Sequence, residues 1–222
     1  MIQPSTLSFL KKLKANNNKP WFDANRALYE SAKADFLQFT SKLLAGISAI
    51  DKDIASAGLD PKKCISRINR DVRFSKNKDP YKSNFFALIN KGGKKSNCAA
   101  YYFQLEAGNN SFVGGGVYMP MPPDLYAFRQ EIDYNFAEWK SIVQGKSFKK
   151  TFPEGVQAPD VLSRPPKGYD ENNPALAYLK MKGFYTFNSY SDKDLQSPAC
   201  IKKMLADYKI SLPLIQFLNR AI

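Results

Sequence analysis

The strongest constraint on the fold is the short spacing between β-type segments in the middle of the chain. Aromatic and apolar runs occupy 85–89, 99–105 and 111–113, and such runs are typical of strands. Turn-rich segments at 91–97 and 107–110 separate them. Connections this short join only antiparallel neighbours, because a parallel crossover needs a dozen or more residues. We therefore predict an antiparallel meander.

Helical patterns precede the meander. A large apolar residue recurs every seven positions in the first sixty residues, which predicts one long amphipathic helix. The repeating residues are Phe22, Tyr29, Phe36, Leu43 and Ile50. Asn18 is expected to cap this helix, with Pro20 in its first turn.

Helical patterns also follow the meander. Pro122 opens one pattern and Ser197-Pro198 opens another, which Pro213 is expected to kink or break. A further strand pattern lies at 183–190. No linker composition divides the 222 residues. The chain is therefore predicted to be a single α+β domain over 1–222, with a mainly antiparallel sheet flanked by N-terminal and C-terminal helices.

Absent residue types exclude several chemistries. The sequence contains no histidine, so a serine or cysteine nucleophile with a histidine base is excluded, as is zinc bound through imidazole. The three cysteines, Cys64, Cys98 and Cys200, are scattered and match no metal-ligand spacing. We expect free thiols, no metal and no cofactor. No signal-peptide pattern and no long apolar run occur, so a cytoplasmic protein without membrane contact is expected.

Positive charge is concentrated between Arg67 and Lys95. Nine Lys or Arg residues stand against Asp71 and Asp79 in this stretch, which therefore holds a net +7 of the chain's +13. The nine cations are Arg67, Arg70, Arg73, Lys76, Lys78, Lys82, Lys91, Lys94 and Lys95. Guanidinium and ammonium groups are the side chains that hold phosphate or carboxylate oxygens. The stretch is a candidate anion site.

The local pattern predicts a strand over 67–74. One face of that strand would place Arg70 among apolar neighbours, where a guanidinium needs an acidic partner or an anionic ligand. Asp71 would point the other way and pair with Arg67 or Arg73. A loop at 75–84 would then add Lys76, Lys78, Lys82 and the phenol of Tyr81. The alternative is a solvated basic loop beside internal ion pairs.

Weaker candidates lie further along the chain. Arg129 on the Pro122 helix would face solvent or reach the same site. Lys167 belongs to a second basic segment, and Lys180 and Lys182 would share one face if their segment is a strand; a solvated surface is the default for all three. The glycines at 114–116 match no nucleotide-binding fingerprint and favour a bulge or a close backbone crossing over ligand contact.

Two functions fit these patterns. The first is binding of a phosphorylated or other anionic small molecule by the Arg/Lys-rich site, with or without a reaction in which Asp71 or Tyr81 acts as general acid or base. The second is a nucleic-acid-binding or interaction module that uses the same basic surface. In a third interpretation the arginines form internal ion pairs only. The pattern leaves the ligand and the oligomeric state open.

Five segments also carry a resemblance to a known family. They are the run 16–26 around Pro20-Trp21-Phe22, the run 67–82, Gly114-Gly115-Gly116-Val117-Tyr118, Pro166-Lys167-Gly168-Tyr169-Asp170, and 213–218. Together they resemble bacterial conserved hypothetical proteins of unknown function with an Arg-Asp-x-Arg-Phe-Ser-Lys-x-Lys-x-Pro-Tyr-Lys signature. The resemblance implies a single domain and no established activity. The family often has a histidine before proline where this chain has Asn173-Pro174, so no histidine-dependent reaction is expected.

Overall fold

The computed structural model describes residues 1–94 and 96–222, and Lys95 of the basic stretch lies outside the described residues. Within them the chain forms eleven helices and four strands. The helices are α1 (Pro4–Ala15), α2 (Lys19–Ala24), α3 (Arg26–Ile50), α4 (Lys52–Ser56), α5 (Pro61–Cys64), α6 (Pro122–Tyr134), α7 (Phe136–Gln144), α8 (Lys146–Thr151), α9 (Leu176–Leu179), α10 (Asp192–Leu195) and α11 (Cys200–Asn219). The strands are β1 (Phe85–Ile89), β2 (Ala100–Leu105), β3 (Ser111–Val117) and β4 (Phe184–Tyr190).

The strands form one antiparallel sheet in the order β1-β2-β3-β4. The first three follow each other through short turns, as predicted, and β4 joins beside β3 after the helices α6 to α9. The predicted α+β class, with an antiparallel sheet between N-terminal and C-terminal helices, is confirmed. No helix of the described residues has the length and apolar character needed to cross a membrane.

The chain divides into two compact units. The first unit contains Met1–Ile89, Tyr102–Val113 and Ser189–Leu205, and the second contains Asn90–Tyr101, Gly114–Asn188 and Ala206–Ile222. One domain over 1–222 stays a prediction.

The core of the first unit is aromatic. Phe36 stacks on Phe85 and Phe103 at centroid distances of 5.2 and 5.6 Å, and the predicted repeat residues Phe22, Tyr29, Phe36 and Leu43 are buried. The single long helix was wrong, however. Asn25 interrupts it between α2 and α3, because its side-chain Nδ2 donates a hydrogen bond to the carbonyl oxygen of Trp21 at 2.8 Å.

The core of the second unit surrounds Trp139. This side chain is fully buried, and the rings of Tyr178, Phe184 and Phe217 contact it at 5.3 to 5.9 Å. Gly116 has φ +126°, and a Cβ there would lie 2.1 Å from the carbonyl oxygen of Phe184. The glycine run thus serves a close backbone crossing, the interpretation that the sequence favoured.

The helix α11 continues through Pro213, so of the two expected effects, a kink or a break, the break is wrong. A proline inside a helix costs about 3 kcal/mol. Leu214, Phe217 and Leu218 beyond it are almost fully buried, and each such side chain contributes about 1.5–3 kcal/mol. The free energy gained by burying these three side chains therefore outweighs the cost of the proline.

Candidate functional site

The segment between α5 and β1 carries most of the candidate site residues, and it is irregular. The strand predicted over 67–74 is wrong, because only isolated bridges form, one pairing Ile65 with Ala87 and one pairing Asn69 with Tyr81. Pro80 has no N–H to donate to a ladder. We call residues 68–82 the basic loop.

Side-chain hydrogen bonds supplement the few backbone bonds of the basic loop, in which the Arg70 N–H donates to the carbonyl oxygen of Pro80 and the Lys82 N–H donates to that of Ile68. Lys78 Nζ donates to the carbonyl oxygen of Val72 at 3.0 Å, and Lys82 Nζ donates to that of Arg67 at 3.0 Å. Both ammonium groups therefore serve loop structure.

One residue outside the loop holds its base. Asn17 lies between α1 and α2, and its side-chain amide forms two hydrogen bonds with the backbone of Tyr81, at 2.9 and 3.1 Å. The Tyr81 ring stacks on Phe22 with centroids 4.0 Å apart. The C-terminal base of the basic loop is thereby fixed to the helices of the first unit.

A cleft of about 330 Å³ opens beside this anchor. Three cations, Lys14, Arg70 and Lys82, line it against one acid, Asp79. The remaining lining residues are polar or aromatic: Asn17, Asn77, Tyr81, Ser83 and Asn84. Lys14 is paired with Glu106 at 2.9 Å. The lining has an excess of positive charge and several hydrogen-bonding groups.

Arg70 is the half-buried cation of this cleft. Its Nη1 donates to the carbonyl oxygen of Asp79 at 3.2 Å, and its Nη2 donates to Ser75 Oγ at 3.3 Å. Both acceptors are neutral. Within residues 1–94 and 96–222, no carboxylate forms an ion pair with Arg70. Neutral groups therefore orient the guanidinium, and its positive charge has no counter-ion among the described residues.

Arg73, unlike Arg70, forms an ion pair with a carboxylate, that of Asp71. The two exposed side chains form a bidentate ion pair, with nitrogen-oxygen distances of 3.0 and 2.7 Å. The hydrogen bonds from Arg73 hold the pKa of Asp71 below its usual value. The predicted pairing of Asp71 with Arg73 is confirmed. A carboxylate held ionised in this way is a poor general acid near neutral pH.

The predicted residues thus separate into two groups. Arg70, Tyr81 and Lys82 line the cleft. Five others do not line it: Arg67, Asp71, Arg73, Lys76 and Lys78. All five are exposed. Near them Phe74 is 96% exposed, and Arg73 lies over its ring at 5.8 Å.

The other four predicted residues belong to the second unit. Arg129 is only 9% exposed and donates from Nη2 to the carbonyl oxygen of Met181 at 3.0 Å, so the first of its two expected placements, facing solvent, is wrong, and it does not line the Arg70 cleft. Lys182 pairs with Asp160. Lys180 follows α9 directly, and the segment to β4 holds only an isolated bridge at Met181, so the two lysines do not share a strand face. Lys167 is exposed.

Sequence reasoning missed six cleft residues, namely Lys14, Asn17, Asn77, Asp79, Ser83 and Asn84. Ser83 and Asn84 directly follow the signature run, and that proximity is a usable signal. Lys14 and Asn17 lie more than fifty residues away, and nothing local in the sequence connects them with Arg70.

Comparison with known proteins gives one match. The model of a family described as Conserved hypothetical protein (DUF2461) matches residues 5–217, which include the whole basic loop. No curated protein and no solved structure matches the chain significantly. Because the family model covers nearly the full length, the chain belongs to the conserved hypothetical protein family DUF2461.

Proposed function

We propose that the protein binds a phosphorylated or other small anionic ligand in the cleft at the base of the basic loop. One observation carries the proposal: the half-buried guanidinium of Arg70 is oriented by two neutral acceptors, and no described carboxylate pairs with it. A partly desolvated cation without a counter-ion is stabilised by an anionic ligand. We place this activity in the cytoplasm, as the sequence predicts.

The cleft supplies complementary groups for such a ligand. Arg70 would present its planar fork to an oxyanion, and Lys82 would add a point charge. Its volume of about 330 Å³ lies at the lower end of the range for small-molecule sites. The class that fits is a small phosphate-bearing molecule such as a sugar phosphate or a mononucleotide.

Titration calorimetry with inorganic phosphate and a mononucleotide, at constant ionic strength, tests the proposal. The wild type is expected to bind both, and Arg70→Ala should weaken binding by about tenfold or more, because a hydrogen bond to a charged group contributes about 1.5–3 kcal/mol. Lys42→Ala removes an exposed cation from α3 and should leave both affinities unchanged. Equal small losses in the two variants would leave Arg70 as a structural residue.

A second candidate function rests on Phe74. A phenylalanine that is 96% exposed and flanked by the exposed cations Arg73 and Lys76 is a suitable platform for an unpaired base. We propose single-stranded nucleic acid as the alternative ligand of this part of the basic loop. Binding would depend on Phe74 and would weaken steeply with salt, whereas binding in the cleft would depend on Arg70.

A further inference from the structure

A buried arginine in the second unit has no countercharge. Arg129 lies on α6 and is 9% exposed, and among the described residues its guanidinium donates one hydrogen bond, to the neutral carbonyl oxygen of Met181. Among the described residues it forms no ion pair. Burial lowers the pKa of its guanidinium, which means that the charged form is disfavoured where it stands. An uncompensated buried charge is costly unless something pairs with it.

The acid one helical turn beyond Arg129 is held by another group. Asp133 follows Arg129 by one helical turn, a spacing at which ion pairs commonly form. Instead, Asp133 Oδ1 accepts a hydrogen bond from Asn173 Nδ2 at 2.7 Å. The Asp133 carboxylate is thus bound to the Asn173 amide, and the Arg129 guanidinium has no carboxylate partner among the described residues.

The guanidinium also has unused donors. Its Nε is fully buried without a hydrogen-bond partner, which is rare for a buried polar atom. Its Nη1 has no partner among the described residues and is not buried to the extent that Nε is. Nη1 is therefore the nitrogen through which a ligand would reach the group.

A phenol lies within electrostatic range of this arginine. Tyr169 is half-buried and interacts electrostatically with Arg129 and with Asp133, and its burial, together with the Asp133 carboxylate, raises the pKa of its hydroxyl. The hydroxyl therefore keeps its proton at neutral pH and can donate a hydrogen bond to an anion.

We propose that Arg129 and Tyr169 form a second oxyanion site, separate from the Arg70 cleft, that takes the phosphate or carboxylate group of a small ligand. An oxyanion at Nη1 supplies the missing countercharge and accepts hydrogen bonds from the guanidinium and the phenol. The site lies within the second unit, so the proposal does not depend on the function assigned to the basic loop.

Equilibrium dialysis of the full chain with radiolabelled inorganic phosphate, at fixed ionic strength, tests this site. The Arg70→Ala background removes the contribution of the first cleft. In that background one phosphate should still bind, and adding Arg129→Met should weaken its binding by about 10- to 100-fold, because the lost hydrogen bonds are made to a charged group. Tyr169→Phe should cause a smaller loss, and Lys149→Met, which removes an exposed cation of α8, should cause none.

A purely structural role of Arg129 gives a different result. Arg129→Met would then lower the melting temperature by the same amount with and without phosphate, and phosphate binding in the Arg70→Ala background would be unchanged; either result overturns the proposal. Arg129→Lys retains the charge and a donor for Met181, so it tests the site if the methionine variant does not fold. It should bind phosphate more weakly than Arg129, because it lacks the planar fork. Failure of the first cleft would show separately, as phosphate binding that Arg70→Ala leaves unaltered.

Discussion

The side-chain amide of Asn17 pairs with both backbone groups of Tyr81. Asn17 Nδ2 donates to the carbonyl oxygen of Tyr81 at 2.9 Å, and the Tyr81 N–H donates to Asn17 Oδ1 at 3.1 Å. The amide thus provides at one residue the donor and the acceptor that a neighbouring strand would provide. It fixes the base of the basic loop, and with it the position of Lys82 at the cleft.

Asn17→Ala should destabilise the protein by about 1–3 kcal/mol, because two partly buried backbone groups lose their partners. Chemical denaturation measures this change. Asn16→Ala is the matched control, since the Asn16 amide makes only an exposed bond to the carbonyl oxygen of Lys12, and its loss should be about 0.5 kcal/mol or less. Equal losses in the two variants would show that the Asn17 bridge does not stabilise the loop.

Gly116→Ala should destabilise the second unit more than any glycine substitution in an open position. The new Cβ would lie 2.1 Å from the carbonyl oxygen of Phe184, and φ is +126°. Conformational strain of about 1–2 kcal/mol and overpacking of about 1–3 kcal/mol together give a loss of about 2–5 kcal/mol. Urea denaturation measures it.

Gly155→Ala separates the two contributions to that loss. Gly155 has φ +66°, but a Cβ there would meet nothing within 4 Å. This variant should therefore lose only the strain energy of about 1–2 kcal/mol. A loss as large as that of Gly116→Ala would argue against a close crossing of β3 and β4.

The secondary structure was largely predictable because its signals are local. Short turn-rich connections define the meander of β1 to β3, and the seven-residue repeat identifies the buried face of α3. The prediction of a strand over 67–74 was wrong for a local reason too. Its alternation suited a strand, but Asn69 is its only bridged residue, and Lys78 and Arg70 bind carbonyl oxygens within the loop.

The candidate site was less predictable, because contacts far apart in sequence assemble it. The basic signature pointed to Arg70, Tyr81 and Lys82, but the anchor at Asn17 lies 64 residues from Tyr81. The pattern also did not separate the paired cation Arg73 from the unpaired Arg70, since both occupy similar positions in the signature. That difference depends on which acceptors the folded loop presents.

Stability should fall in alkaline solution because of Cys200. Burial raises the pKa of the Cys200 thiol from an ordinary value near 9 to about 11. Above pH 9 the thiol ionises in the unfolded chain but not in the folded protein, so the stabilisation is complete below pH 9 and is lost as the pH rises to 11. The expected loss is about 1–3 kcal/mol. Cys200→Ala should show a shallower decline from pH 9 to 10.5 in urea denaturation, and parallel curves for the two proteins would contradict the assignment.

Phe74→Ala distinguishes the two candidate ligands of the basic loop. The Phe74 ring is almost fully exposed, so its removal should not lower the free energy of unfolding. If single-stranded nucleic acid binds here, the variant should lose about 1–3 kcal/mol of affinity for an oligonucleotide, the usual contribution of one stacked base, with a salt dependence close to that of the wild type. Phosphate binding in the Arg70 cleft should be unchanged. Fluorescence anisotropy at several salt concentrations measures the oligonucleotide affinity; an unchanged value in Phe74→Ala, together with weakened mononucleotide binding in Arg70→Ala, would exclude base stacking on Phe74 and support the small-anion cleft.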